Sequence, residues 1–269
     1  MPELPEAETI RADLAKAVLG SRIVGARLRH PGLLGKGSEK PKASIGSEIT
    51  GIERFGKRLF FLLREGGVRQ IQVSLGMTGQ FVLGEGPEDA PPHTRLSLYL
   101  DKGGGGPGAL HFRDIRKFGR VWFASDPGPW KGAPDALNLK GSAFHKLLAG
   151  KRQPIKSLLM DQSLVGGLGN IYATEALYAA GISPFREGGS LSEKESGRLL
   201  RKTKKILKEA IRLRGSTVSN YRAPSGEGAY QHRLLAYGKA GSGCPICGGM
   251  FRKDVIQGRS TVWCPACQK

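Results

Sequence analysis

The residues best suited to chemistry stand at the two ends of this 269-residue chain. It opens Met1-Pro2-Glu3-Leu4-Pro5-Glu6. Methionine before a small residue such as proline is normally trimmed, and trimming leaves Pro2 with a free secondary amine. With Met1 attached that amine does not exist. An α-amino group has an ordinary pKa near 8, so about a tenth or more is neutral and nucleophilic at physiological pH. Attack on an aldehyde-like carbon would give an iminium, an electron sink for cleavage of neighbouring bonds. Glu3 sets a carboxylate beside that amine as a candidate acid or base. A proline here also opens a helix without losing a hydrogen bond, and these six residues alone do not choose between the two readings.

At the other end lie all four cysteines, as Cys244-Pro-Ile-Cys247 and Cys264-Pro-Ala-Cys267. Two C-x-x-C pairs at this separation fit a tetrahedral four-thiolate zinc site, each pair forming a knuckle and a hairpin joining them. One structural Zn2+ is expected, with Cys244, Cys247, Cys264 and Cys267 as ligands. Two disulfides or four free thiols are the alternatives. They suit a chain without a secretion signal poorly.

Charge narrows the partner. The formal net charge is +19 and the sequence pI about 10.1. Nucleic acid is the first candidate to meet such an excess, an anionic membrane surface the second. No apolar run is long enough to span a bilayer, and no amphipathic segment carries aromatic residues on one face. The start has no basic region followed by an apolar stretch, so a cytoplasmic protein associated with the nucleoid is expected.

Several elements must position these groups. Leu4 to Leu19 reads as a helix with Ile10, Leu14 and Val18 on one face and Gly20 beyond its end. Short apolar or alternating stretches follow at 21–29, 48–55, 58–63, 68–75, 80–83, 96–100, 109–112 and 119–123, separated by Gly and Pro clusters. That rhythm predicts a β-sandwich or barrel. The four glycines 103–106 read as a hairpin tip. Beyond a Pro/Gly-rich linker the periodicity turns helical, at 142–149, 155–160, 171–180 and 191–214. Ser192 and Glu195 form a capping box for the last of these, and Gly215 supplies its stop. Its apolar stripe reads Leu199, Ile206, Ala210, Leu213; its other face is basic. The expected class is α+β multidomain. Domain 1-125 is an N-terminal β-sandwich with a flanking helix, 126-135 a linker, 136-240 a helical domain with a long polar loop at 215-229, and 241-269 a zinc finger.

Together these residues resemble the bacterial formamidopyrimidine-DNA glycosylase family over nearly the whole chain. The marks are Pro-Glu-Leu-Pro-Glu at the start, Lys57 within Arg-Phe-Gly-Lys-Arg, Leu75-Gly-Met-Thr-Gly79, Asp114-Ile-Arg-Lys-Phe-Gly119, Gly167-Leu-Gly-Asn-Ile-Tyr-Ala-Thr-Glu175, Tyr237-Gly-Lys and Gln257-Gly-Arg-Ser-Thr261. The resemblance implies a monomeric repair enzyme that acts on double-stranded DNA containing damaged bases. It would excise oxidised purines such as 8-oxoguanine and formamidopyrimidines, then cut the strand by β,δ-elimination. It also implies a helix-two-turn-helix motif in the helical domain. By matching position, Pro2 would attack the sugar C1′, Glu3 would be the acid/base, and Lys57 would sit by a phosphate near the lesion. Asn170 and Arg259 would clamp flanking phosphates, while Met77, Arg116 and Phe118 would fill the gap left in the base stack.

The chain departs from the family pattern in places. Ser74 stands where a histidine usually precedes Leu-Gly-Met, and His93 and Arg95 stand where a second histidine is frequent; both are read as DNA-binding, with Arg95 serving a phosphate at least as well. Two rivals remain. An endonuclease VIII-like glycosylase for oxidised pyrimidines would use the same machinery, though Leu4 and the loop after Gly215 favour the purine enzyme. A non-catalytic zinc-ribbon protein that binds DNA would not need a processed terminal proline.

Overall fold

A computed structural model describes residues 2–128, 132–217 and 226–269. The described residues divide into two compact units. The first takes Pro2, residues 6–128, 216–217 and 226–228; the second takes 3–5, 132–215 and 229–269.

The first unit contains most of helix α1 (Leu4–Val18) and strands β1 (Arg22–Leu28), β2 (Glu48–Phe55), β3 (Arg58–Arg64), β4 (Gln70–Ser74), β5 (Gly79–Gly84), β6 (Thr94–Asp101), β7 (Ala109–Asp114) and β8 (Arg120–Ala124). All eight expected strands are present, with boundaries shifted by at most two residues. They pair in the order β5-β7-β6-β1-β2-β3-β4-β8. β1 and β2 share only the pair Arg22 with Glu48, whereas β2 and β3 pair from Glu48–Arg64 to Phe55–Arg58. The ribbon therefore folds at the β1–β2 join into two antiparallel layers, β5-β7-β6-β1 and β2-β3-β4-β8, which form the sandwich. Phe81 of β5 meets Phe61 of β3 at 5.6 Å between ring centroids, bridging the layers edge to face. Ile10, Leu14 and Val18 of α1 are buried in the same core, as their spacing requires. Each large apolar side chain buried this way is worth roughly 1.5–3 kcal/mol.

The second unit carries α2 (Gly141–Leu148), α3 (Ile155–Met160), α4 (Asn170–Ala180), α5 (Glu193–Arg212) and a hairpin of β9 (Arg252–Ile256) and β10 (Arg259–Trp263). The capping box of α5 forms as expected: the Glu195 amide donates to Ser192 Oγ at 3.2 Å, and Glu195 accepts the Ser192 amide at 2.9 Å. Two details of α5 differ from expectation. Its fully buried stripe is Ser196, Leu199, Leu200, Thr203, Leu207 and Ala210; Ile206 and Leu213 are half-buried and pack against the same core, so the expected stripe holds but omits Leu207. Its stop is made one residue earlier than Gly215. Arg214 takes the left-handed conformation (φ 63°), and the Gly215 amide closes back on Ala210 O at 2.7 Å, a Schellman ending with glycine one place late. The basic face is largely solvated: Arg201, Lys202, Lys205, Lys208 and Arg212 are exposed, Arg198 and Lys204 half-buried.

Of the long polar loop, residues 218–225 lie outside those described. Its near ends are fixed within the first unit: the Ser216 amide donates to buried Glu6 at 2.8 Å, and the Gly228 amide to Thr217 Oγ1 at 2.8 Å. Among the described residues no helix is long and apolar enough to cross a membrane.

Candidate active site and zinc centre

The sequence-nominated residues fall into two sets, one in each unit. In the second unit Glu3 is 3% exposed. Its carboxylate accepts the amides of Gly169 at 2.6 Å, Ile171 at 2.9 Å and Tyr172 at 3.4 Å. These donors are the first turn of α4, where N–H groups have no partner inside the helix and the helix dipole favours a negative charge. The donating amides favour the ionised carboxylate.

The glycine-rich turn before α4 makes that seat possible. The Leu4 amide donates to Gly167 O at 3.0 Å. Gly167 has φ +112°, and a Cβ there would stand 2.5 Å from the Leu4 side chain. Gln162 shapes the turn from beneath, accepting the Gly167 amide at 3.0 Å and donating to Leu168 O at 2.7 Å. The sequence reading missed Gln162, and no local pattern marks it.

Asn170, the first residue of α4, has its Oδ1 buried with no hydrogen-bond partner among the described residues. Tyr237 lies against it. Burial and the Glu3 charge raise the Tyr237 phenol, and the Asn170 side chain partly offsets them. Tyr237 is held by Glu175 of α4, whose buried carboxylate accepts the amides of Leu235 (3.0 Å), Ala236 (2.9 Å) and Tyr237 (2.7 Å). Glu175 belonged to a motif in the sequence, but its task is visible only in the fold.

The four cysteine sulfurs lie within 4.8 Å of one another, with Cys244–Cys267 at 3.8 Å and Cys247–Cys264 at 3.5 Å. Disulfides need about 2.05 Å, so neither pair is one. A tetrahedron with Zn–S of about 2.3 Å has S···S edges of roughly 3.8 Å, and this cluster matches it. It is the site of one structural zinc. Burial would push the Cys244 thiol up, but the Tyr178 hydroxyl and the Cys247 and Ile246 amides outweigh it and bring it down to about 6, towards the thiolate a metal requires. The Tyr178 hydroxyl is 3.2 Å from Cys244 Sγ. Between the knuckles, β9 and β10 turn at Gln257 (φ 47°) and Gly258 (φ 69°), the double positive φ of a type I′ hairpin. The turn presents Arg259 exposed at the tip.

The first unit gathers the other set. Arg58, Ser74 and Arg120 are in register across β3, β4 and β8, so the turns at Gly56-Lys57, 75–78 and 115–119 share one end of that layer. Gly76 (φ +59°), in the second of these turns, packs against the third; a Cβ there would stand 2.6 Å from Gly119 N and from Phe118 C. This approach brings the Met77 and Phe118 turns together. Asp114, 0% exposed, organises them: its carboxylate accepts the Thr78 hydroxyl at 2.5 Å and the Gly119 amide at 2.7 Å. Thr78 Oγ1 in turn accepts the Arg116 amide at 3.0 Å. Phe118 is 52% exposed, with the Arg116 guanidinium 4.9 Å above its ring; Met77 is half-buried. Arg95 Nε donates to Asp114 O at 2.8 Å, and the Asp114 amide donates to His93 O at 3.1 Å. Lys57, Met77, Arg116 and Phe118 thus lie on turns at one end of that layer, His93 and Arg95 of the neighbouring segment are tied to Asp114, and Pro2 is buried in the same unit.

Comparison with known proteins agrees with this geometry. Family models match residues 1–121 as the formamidopyrimidine-DNA glycosylase N-terminal domain, 132–222 as the formamidopyrimidine-DNA glycosylase H2TH domain, and 241–269 as a zinc finger found in FPG and IleRS. A formamidopyrimidine-DNA glycosylase of Thermus thermophilus is 40% identical over all of this chain and 98% of its own length. That of Desulfitobacterium hafniense is 38% identical over the full length of both. The crystal structure of the MutM (Fpg) protein from Thermus thermophilus superposes with a TM-score of 0.86 over 99% of this chain and 98% of its own. A Lactococcus lactis Fpg in complex with abasic-site DNA is 34% identical, with a TM-score of 0.87 over 99% of both chains. The chain belongs to the formamidopyrimidine-DNA glycosylase family.

Proposed function

We propose that the protein excises oxidised purines from duplex DNA and then cleaves the strand at the abasic site. The observation that carries this reading is the Glu3 carboxylate, seated on three α4 amides one residue after the proline that Met1 removal would make N-terminal. Support also comes from the Lactococcus lactis relative, whose complex holds a Fapy-dG-containing DNA.

A base inside a duplex is out of reach, so the nucleotide must be extruded at a cost of a few kcal/mol. Met77 and Phe118, on turns, would act as apolar wedges that replace the lost stacking, and Arg116 would bond the orphaned partner base. Lys57, Arg95, His93, Asn170 and Arg259 would hold phosphates. The neutral Pro2 amine attacks C1′, and the C1′–N bond electrons leave with the base, which takes up a proton. Ring opening then gives an iminium between Pro2 and C1′, with the ring oxygen protonated. Glu3, ionised on its amides, accepts the proton the Pro2 amine sheds and returns it to the ring oxygen. The iminium acidifies C2′–H; loss of that proton expels the 3′ phosphate, and a second elimination expels the 5′ phosphate. Zinc takes no part in these steps. It folds the hairpin that carries Arg259.

Borohydride trapping tests the reading. Duplexes bearing 8-oxoguanine should give a covalent adduct that maps by peptide sequencing to Pro2. An adduct on Lys57 or another lysine would refute the nucleophile. Preferential trapping on oxidised pyrimidines would assign the chain to the endonuclease VIII-like chemistry instead, and no adduct on either would leave a DNA-binding zinc protein.

A further inference from the structure

Lys156 of α3 is 0% exposed, yet the chemistry above gives it nothing to do. Its ammonium donates to Ser260 O at 3.0 Å and to Thr261 Oγ1 at 2.9 Å. Both acceptors lie on β10, directly after Arg259. Burying an ammonium against neutral acceptors is costly, and here burial pushes the group down to about 8 while the Glu3 charge pulls it back up. So expensive a group at a helix–hairpin contact calls for a use beyond packing.

The hairpin tip is otherwise poorly supported from below. A cavity of about 420 Å³ opens between α3 and the turn, lined by Ser157, Met160, Gln162, Gln257 and Arg259 among others. Ser157 Oγ, which lines the same cavity, is buried without a hydrogen-bond partner among the described residues. The tip therefore overhangs a hollow, and the two Lys156 bonds are polar ties between α3 and β10 just behind it. The lysine also feels the Glu3 charge, while its hydrogen bonds go to the strand carrying Arg259.

We propose that Lys156 is a positioning residue: by tying β10 to α3 it fixes the height of Arg259 relative to the Glu3 carboxylate, setting the phosphate clamp in register with the reacting sugar. This rests on the reading of Arg259 as a phosphate ligand. Lys156 itself touches no reacting atom.

The test uses zinc-loaded full-length protein and a duplex containing a tetrahydrofuran abasic analogue. Lys156→Met should keep one zinc per chain and leave α4 amide exchange unchanged, while amides 257–261 exchange at least tenfold faster. Its affinity should fall about as far as that of Arg259→Ala, and the double variant should fall no further, because both changes remove the same clamp. Thr261→Val, which removes one acceptor and leaves the lysine in place, should show the same pattern at smaller size, and it decides the matter if Lys156→Met does not fold. Unchanged exchange at 257–261 in the folded variants, or losses for Lys156→Met and Arg259→Ala that multiply in the double variant, would overturn the proposal. Wild-type affinity in Arg259→Ala would instead remove the clamp reading, and hairpin exchange would still decide whether Lys156 positions the tip.

Discussion

The Glu3 carboxylate accepts the Gly169 amide at 2.6 Å, joining positions 166 residues apart in the chain. With Ile171 and Tyr172 donating as well, the residue proposed as acid/base is also a helix cap. Its charge is held by α4, and its removal acts on chemistry and structure together. Glu3→Gln keeps the size but offers one acceptor oxygen, leaving buried amides short of partners at about 1–3 kcal/mol. The variant should fold with a lowered melting temperature, bind lesion DNA, and lose base excision while retaining some cleavage of a preformed abasic site. Single-turnover excision and nicking assays, run beside a melting curve, check all three. Wild-type excision in this variant would remove Glu3 from the mechanism.

Phe118 and Met77 divide wedge from core. Phe118 is 52% exposed, so truncation should cost well under the roughly 3–5 kcal/mol of a buried phenylalanine. Phe118→Ala and Met77→Ala should therefore change denaturant stability by less than about 1 kcal/mol while lowering excision from duplex DNA at least tenfold. A large loss of stability with normal excision by the folded fraction would make them core residues.

Zinc is the fold of the hairpin. Cys244 and Cys264 are almost fully buried in the small core with Tyr178, Phe251 and Val262, and no disulfide replaces the metal. Stripping the ion with a chelator should release one zinc per chain, unfold residues 244–267 and abolish DNA binding, leaving the signal of the β-sandwich intact. Metal analysis of freshly purified, reduced protein gives the count; a metal-free protein with an ordered hairpin would contradict it.

Lys156 also makes a pH prediction. Its ordinary value is 10.5 and burial lowers it to about 8. Between those values the unfolded chain keeps a proton that the folded chain has released, so this group makes stability rise with pH. The cost is full below pH 8, on the order of 3 kcal/mol, and is relieved towards pH 10.5. Urea unfolding of wild type and Lys156→Met should show their difference moving by about 2.5 kcal/mol in favour of wild type from pH 7 to pH 10. A difference independent of pH would mean the ammonium is not buried in solution.

What the sequence determined by itself was everything governed by near neighbours along the chain. The eight strands were legible because Gly and Pro clusters bound each apolar run. The start of α5 was legible because Ser192 and Glu195 cap it within four residues, and the zinc site because each ligand pair closes over two intervening positions. The same locality explains the errors at α5. A stripe read from 3.6-residue spacing is uncertain by one position, which is 100° of rotation. How deeply Ile206 and Leu207 each turn inward is decided by the elements packed on the helix, and Arg214 joins Gly215 in the left-handed region that local preference would give to glycine alone.

Only the tertiary structure decided which polar groups meet. Nothing near Glu3 says that its partners are the amides of Gly169, Ile171 and Tyr172. Asp114 looked like one motif residue among several, yet it is the buried carboxylate that locks the Met77 and Phe118 turns. Nothing in the sequence sets Lys156 apart from its near neighbours Lys151 and Arg152. The fold buries it and points it at β10, because a buried charge is tolerated only where distant strands and helices bring acceptors to it, and that arrangement has no local signature.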